Sequence, residues 1–199
     1  MDYGKFSDEE LMQAVQKGEL DAFDVLFNRH KKPLLNFLYK YTNDIEKSED
    51  LFQLVFLKVF EKRDSFKGKS TFKTWLYSIA VNSALDLIRK EKKEQKKVSL
   101  NNFNPATNAS FDPASKIIDP STQVISDEFK QLMEQALAEL TEELRTPFIL
   151  ARFQDLAYKE IAETLGISIA TVRMRIYRAN KQLADKLEKY INAEEARYE

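Results

Sequence analysis

The sequence predicts an all-α protein: two small helical domains joined by a long flexible linker, the C-terminal one a helix-turn-helix domain. Three observations support this. Apolar residues recur at helical spacing on both sides of residues 98–127, and no stretch alternates like a strand. Residues 98–127 hold three of the five prolines, four asparagines and five serines, without a helical period. The stretch KEIAETLGISIATVRMRIYRANK (159–181) contains two helical patterns separated by Gly166.

The composition excludes several classes of protein and site. The 199 residues are 43 % apolar and 32 % charged, as in a globular chain. The absence of cysteine excludes disulfides and cysteine nucleophiles, and the single His30 provides no imidazole triad or metal cluster. We therefore predict no catalytic residue, no metal site and no cofactor. No apolar run is long enough for a membrane span, and the start MDYGKFSDEE is polar, so we expect a cytoplasmic protein without membrane insertion.

Two helices are predicted in the first forty residues. Ser7 and Glu10 form a capping-box pattern ahead of an apolar run, and Gly18 stands where that helix would end. A second helical pattern covers residues 21–40.

Two further helices follow, and the first of them is unusually apolar. Asp44 is predicted to cap a third helix, and Ser70 a fourth that covers residues 71–94. In the third helix, eight of the ten residues from Leu51 to Phe60 are apolar. A helix that is apolar nearly all round either lies centrally in a core or turns one side to a partner, and the spacing alone leaves both open.

The segment SFKGKSTFKTW (65–75) interleaves aromatic residues with lysines around Gly68. Single-stranded nucleic acid is bound by this combination, since bases stack on rings and phosphates pair with ammonium groups. Phe72 and Trp75 have the helical spacing of a core face, so we assign them to the core. The candidates for nucleic-acid contact are then polar side chains: Lys67, Lys69, Ser70, Lys73 and Asn82.

The domain boundaries follow from the Pro, Asn and Ser-rich stretch. We place the first domain at residues 1–95, the linker at 96–127 and the second domain at 128–199. A coil of this length has ends roughly 30 Å apart, more if stretched. A segment of this length without secondary structure is unusual inside one compact domain, so it favours two domains.

The second domain contains the predicted helix-turn-helix, in residues 159–181. Residues 160–165 form a short helix, Gly166 supplies the turn, and Ser168 caps the next helix. That helix has a buried stripe made of Val172, Ile176, Ala179 and Leu183. Its opposite face and flanks hold a small residue, long cations and an aromatic residue, which suit the major groove of DNA: Ala170, Arg173, Met174, Arg175, Tyr177, Arg178 and Lys181.

Charge is segregated along the chain, although the formal net charge is only −1. Residues 61–97 hold eleven basic and five acidic side chains. Residues 169–181 hold four basic side chains and no acid. Two basic zones on a near-neutral protein indicate two separate contacts with a polyanion.

Four segments together resemble the sigma-70 family of RNA polymerase sigma factors, in its small two-domain extracytoplasmic-function (ECF) group. They are AFDVLFNRH (22–30), SEDLFQLVFLKVF (48–60), STFKTWLYSIAVNSALDLIRK (70–90) and YKEIAETLGISIATVRMRIYRA (158–179). Helix-turn-helix motifs alone are common, but their combination with D-L-x-Q-x-x-F and T-W-L-x-x-I-A-x-N is specific. The resemblance covers about residues 20–95 and 128–185.

The resemblance implies a non-enzymatic subunit that binds core RNA polymerase, directs it to selected promoters and assists strand opening. Polymerase would be bound through Asp50, Gln53 and Phe56. The single-stranded −10 element, with one extruded base, would be bound by Phe66, Lys67, Lys69, Ser70, Thr71, Lys73, Asn82 and Arg89. The −35 duplex would be read by Ser168, Thr171, Arg173, Met174, Arg175, Tyr177, Arg178 and Lys181. The linker would thread through the polymerase, and an anti-sigma factor is the expected regulatory partner.

The chain departs from the family pattern at four positions. Leu54 stands where an acid is usual, Ala170 where glycine is usual, Met174 where a small polar residue is common and Glu142 where proline is frequent. Met174 places an apolar side chain at an expected base-facing position, so no −35 sequence is predicted.

Two other functions are compatible with parts of the sequence. A free-standing helix-turn-helix regulator would bind duplex DNA without polymerase and would not need the 51–60 surface. A nuclease would use carboxylate-bound Mg²⁺, but the acidic residues of the first domain follow capping and surface spacing, with no second cluster.

Overall fold

The computed structural model describes residues 3–99 and 127–198, and within those ranges it contains helices and no strand. The predicted all-α fold is confirmed. The helices, in chain order, are α1 (Asp8–Gln16), α2 (Leu20–Thr42), α3 (Ile45–Glu61), α4 (Phe72–Ser99), α5 (Asp127–Glu139), α6 (Glu142–Phe153), α7 (Tyr158–Leu165) and α8 (Ile169–Tyr198). Most of the predicted linker lies outside the described residues, and α4 extends into its first positions.

The first helix begins and ends as the sequence predicts, and the second extends slightly beyond the predicted residues 21–40. Ser7 and Glu10 form a reciprocal capping box, in which each backbone N–H donates to the other side chain. Gly18, just beyond α1, has a φ of +97°, which favours glycine. α2 continues through Pro33 and ends at Asn43, whose φ of +48° is left-handed.

The third and fourth helices start at capped positions, one of them different from the prediction. The Asp44 side chain accepts a hydrogen bond from the Lys47 N–H and caps α3, as expected. α4 begins at Phe72, and the hydroxyl of Thr71 accepts from the Thr74 N–H at 3.2 Å. The cap is therefore Thr71 and not Ser70, because the chain turns into the helix one residue later than the Ser70 prediction requires.

The helix-turn-helix consists of α7, a turn and α8. Gly166 ends α7 with a φ of +63°. The Ser168 hydroxyl accepts from the Thr171 N–H at 3.1 Å, which confirms the predicted cap of α8. The predicted stripe of α8 is buried, with Val172, Ile176 and Leu183 exposed by 4 % or less.

The two halves of the chain pack against each other. α7 lies against α4, and α5 and α6 lie against α2. One apolar core runs across this boundary, joining Phe72 and Leu76 of α4 to Ile149, Leu150 and Ile161 of the second half. The described chain is thus closed, with the helix-turn-helix seated beside the N-terminal end of α4.

Candidate nucleic-acid and protein interfaces

The first candidate interface is the exposed face of α8. With Val172 and Ile176 buried, Met174 is 51 % and Tyr177 65 % exposed. Arg173, Arg178 and Lys181 are exposed on the same helix. The structure therefore brings cations and one aromatic side chain together on a free helical surface, the arrangement that a major groove accommodates.

Three of the residues predicted for this interface have partners within the protein. Arg175 is half-buried and its guanidinium lies 3.4 Å from the Glu143 carboxylate of α6. Ser168 and Thr171 share a hydrogen bond of 2.8 Å between their hydroxyls. These residues fix the start and orientation of α8, while the remaining side chains face outward.

The second candidate interface is the loop of residues 66–71. Phe66 is only 5 % exposed, because its ring packs against Phe72 and Trp75. Lys67 and Lys69 are exposed. The aromatic side chains thus pack beneath the loop and support it, and the two lysines project from the loop into solvent.

Two polar residues near the start of α4 contact the second half of the chain. The Lys73 Nζ donates to the backbone oxygen of Gln154 at 2.6 Å. The Thr71 hydroxyl donates to the Glu160 carboxylate at 3.3 Å. In this arrangement these two predicted nucleic-acid contacts are engaged by the protein itself, whereas Asn82 and Arg89 farther along α4 are exposed.

The third candidate interface is one side of α3. Phe56 is 2 % exposed and packs edge-on against Phe23 and Phe27, so it lies in the core. Leu54 is 41 % and Leu57 55 % exposed. Asp50 and Gln53 are exposed beside them. One face of the apolar helix therefore forms part of the core, and the other presents leucines to solvent.

A buried polar contact between the two halves has no counterpart among the residues predicted from sequence. The Tyr77 hydroxyl donates to the side-chain oxygen of Gln154, and burial raises the pKa of that hydroxyl, which keeps it protonated as a donor. Thr74 donates to Glu160 in the same region at 3.3 Å. Helical spacing gives no signal for Gln154, because this residue follows the end of α6 and its partner is 77 positions away.

Residues 3–99 and 127–198 include no group of three or more His, Asp or Glu side chains arranged to hold a metal ion. No helix in those ranges is both long and apolar enough to cross a bilayer.

Comparison with known proteins adds independent findings. Residues 26–94 match the family pattern "Sigma-70 region 2" and residues 130–183 match "Sigma-70, region 4". The RNA polymerase sigma-H factor of Pseudomonas aeruginosa is 32 % identical over 187 residues, covering 91 % of this chain and 94 % of the relative. The ECF RNA polymerase sigma-E factor of Escherichia coli K12 is 30 % identical over 189 residues, covering 94 % and 97 %.

Two solved structures are also similar to the fold of this chain. The sigma factor RpoE of Bartonella quintana, solved in complex with the anti-sigma factor NepR, has a TM-score of 0.64 at 25 % identity, covering 88 % of this chain and 98 % of that one. CnrH, solved with the cytosolic domain of CnrY, has a TM-score of 0.67 at 21 % identity, covering 92 % and 97 %, and shares the fold.

Proposed function

The chain belongs to the sigma-70 family of RNA polymerase sigma factors, in its ECF group, and from that premise we propose that three separate surfaces perform its work. As a sigma factor it binds core RNA polymerase and directs promoter-specific transcription initiation. The exposed face of α8 reads the −35 duplex, the 66–71 loop with α4 holds the single-stranded −10 element, and the exposed side of α3 docks on polymerase. The protein catalyses no reaction itself and acts in the cytoplasm.

The observation that carries the −35 assignment is the division of α8 into two faces. Val172 and Ile176 anchor the helix, and Arg173, Tyr177 and Arg178 point away from that anchor. An arginine can bridge guanine O6 and N7, and flanking cations neutralise phosphates. Met174 adds an apolar contact, which suits a thymine methyl group.

The −10 assignment is supported by the loop and by the start of α4. Exposed lysines at 67 and 69 can neutralise the backbone of a single strand, while Asn82 and Arg89 extend the polar surface along α4. Phe66 supports the loop from below, because its ring is buried. Extruding a base from the stack costs a few kcal/mol of free energy, so the protein needs a binding site that holds the extruded base.

The polymerase assignment is supported by the solvent-exposed leucines of α3. Leu54 and Leu57 form an apolar strip beside Asp50 and Gln53 on a helix that the core holds rigidly. Exposed apolar strips with a polar rim are typical of protein interfaces. Phe56 contributes indirectly, because it anchors the helix from inside. An anti-sigma factor is the regulatory partner we propose, since a relative of the same fold was solved with one.

Transcription in vitro tests this function. Purified protein is added to core RNA polymerase with a set of genomic fragments, and protein-dependent initiation is measured. We expect initiation from a subset of fragments only. A protein that protects duplex DNA without polymerase, and gives no initiation on any fragment, would instead be a free-standing regulator.

A further inference from the structure

The helix α1 contacts both ends of the 66–71 loop. At the first end, the Gln16 side-chain nitrogen donates to two backbone oxygens, one of which is that of Phe66 at 2.8 Å. At the second end, the Glu9 carboxylate accepts a hydrogen bond of 2.7 Å from the backbone N–H of Phe72, the first residue of α4. The two ends of the loop are therefore tied to the same helix.

Both contacts come from one face of α1. Glu9 and Gln16 are seven positions apart, which is close to two helical turns and about 10 Å along the helix axis. α1 is itself held against α2, because the Asp8 carboxylate contacts the His30 ring at 2.7 Å. The helix precedes residues 26–94, so it lies outside the matched region 2 pattern. It acts as a rigid splint that fixes the distance between the two ends of the loop.

Between its ends the loop has no polar contact that would hold it in place. Residues 67–70 make no hydrogen bond or ion pair with any part of the chain that the structure describes. Gly68 has a φ of +66°, a backbone conformation that favours glycine. The direction in which Lys67 and Lys69 project therefore depends on how α1 holds the two ends.

We propose that Glu9 and Gln16 are positioning residues for the −10 strand, which hold the loop so that Lys67 and Lys69 reach the phosphates of that strand. Neither residue has to touch DNA. A carboxylate repels phosphate, so Glu9 acts through the backbone of the loop and not on the strand. The inference rests on the proposed −10 role of the 66–71 loop.

The salt dependence of strand binding tests the proposal. The complete holoenzyme is bound to a promoter fragment that is pre-opened across the −10 region, and the binding constant K is measured at several salt concentrations. One lysine–phosphate contact on a single strand contributes about 0.7 to the slope of log K against log salt concentration, or roughly 2.5-fold in K between about 50 and 200 mM salt. We expect Gln16→Ala to make this slope shallower by about 0.7 or more, although the substitution removes no charge.

Matched variants separate positioning from a general effect on the fold. Gln13→Ala, an exposed change on the same helix, should keep the wild-type slope. Glu9→Ala and Glu9→Gln remove the same charge, but only glutamine keeps a side-chain oxygen that can accept from the Phe72 N–H. Glu9→Ala should therefore make the slope shallower, and Glu9→Gln should keep most of the wild-type slope.

Binding of a −35 duplex by the same holoenzymes is the check of folding and assembly. Each variant should bind this duplex like the wild type, because the exposed face of α8 is unchanged. A residue with a merely structural role would lower the amount of active holoenzyme without changing the salt slope of the −10 strand. If Gln16→Ala fails the check, the comparison of Glu9→Ala with Glu9→Gln decides.

The outcomes also separate this inference from the function on which it rests. Lys67→Ala and Lys69→Ala should each make the slope shallower; if both keep the wild-type slope, the loop does not bind the −10 strand. If the lysine variants change the slope but Gln16→Ala and Glu9→Ala do not, the positioning inference alone is overturned. An equal change for Gln13→Ala would overturn it as well, because that residue holds neither end of the loop.

Discussion

Arg178 is the residue at which the −35 assignment is most directly tested. Its side chain is exposed on the α8 face opposite the buried stripe. A bidentate contact between arginine and guanine discriminates by about tenfold to a hundredfold. We expect Arg178→Ala to weaken −35 duplex binding by the holoenzyme by that factor, measured by fluorescence anisotropy. Arg152→Ala, an exposed arginine on α6, serves as the control and should bind like the wild type. Equal losses for the two variants would mean that general charge, and not this face, determines binding.

Asp8 controls a second property, the acid stability of the first half. Its carboxylate is held by Arg29 and His30, with the His30 Nε2 2.7 Å from an Asp8 oxygen. Burial raises the pKa of Asp8, but the hydrogen bonds and charges of His30 and Arg29 outweigh it, so the net pKa is lowered from 3.8. A carboxyl with a lowered pKa stabilises the fold fully above its unfolded pKa and loses that contribution as the pH falls through its folded pKa.

The expected outcome is a pH-dependent difference between wild type and Asp8→Asn. Near pH 7 the variant should lose about 1.5–3 kcal/mol of unfolding free energy, the range for a hydrogen bond to a charged group. The difference should shrink as the pH falls below 3.8, because Asp8 of the unfolded chain is protonated first and Asp8 of the folded protein only at a lower pH. Urea unfolding at a series of pH values measures it. Asp24→Asn, an exposed change on α2, should show no such dependence; a difference that does not shrink as the pH falls below 3.8 would contradict the linkage.

At the scale of the single helix, α3 offers the clearest test. Leu57 is 55 % exposed, so replacing it should not disturb the core. We expect Leu57→Glu to weaken binding to core polymerase about tenfold or more, because it places a charge in an apolar contact. Leu20→Glu is the matched control, since Leu20 is 62 % exposed at the start of α2. Competition between labelled and unlabelled protein for core polymerase gives both affinities. An equal effect of both substitutions would place the docking surface elsewhere.

Helices and their ends were largely predictable, because the signals are local. The Ser7–Glu10 box, the Asp44 cap and the Gly166 turn depend on a few consecutive residues, and all three are confirmed. The Ser70 cap was wrong by one residue, since Ser70 and Thr71 both have a capping hydroxyl and only the loop geometry selects between them. Local spacing also could not decide how α3 divides its apolar residues between core and solvent.

At the scale of the whole molecule, the sequence could not predict how its halves meet. The contacts of Gln154 with Tyr77 and Lys73 join positions that are 77 and 81 residues apart, and no periodicity relates them. Lys40 over the Phe153 ring, at 3.9 Å, is a further contact of this kind. The closed packing also has a consequence for binding. In the closed arrangement the Lys73 Nζ is held at the backbone oxygen of Gln154 and is not free to reach the DNA backbone, so we expect closure and the proposed −10 binding to compete.

Gln154→Ala should therefore open the molecule. In the closed arrangement the variant leaves the buried Tyr77 hydroxyl without its acceptor, at a cost of about 1–3 kcal/mol, whereas water satisfies that hydroxyl when the halves separate. The ratio of closed to open molecules should fall roughly fivefold to a hundredfold or more. Because the chain has no cysteine, labels can be attached at introduced cysteines, Glu61→Cys and Gln135→Cys, for energy-transfer measurements.

We expect lower transfer efficiency for Gln154→Ala than for the unsubstituted labelled protein, together with tighter binding of a −10 single strand, because Lys73 is released. Gln182→Ala, an exposed glutamine on α8, is the matched control and should change neither quantity. By reciprocal linkage, a saturating single strand should lower the transfer efficiency of the unsubstituted protein as well. Lower efficiency without tighter strand binding would show that the two halves separate but that Lys73 is not part of the −10 site; unchanged efficiency would show that Gln154 does not hold the halves together.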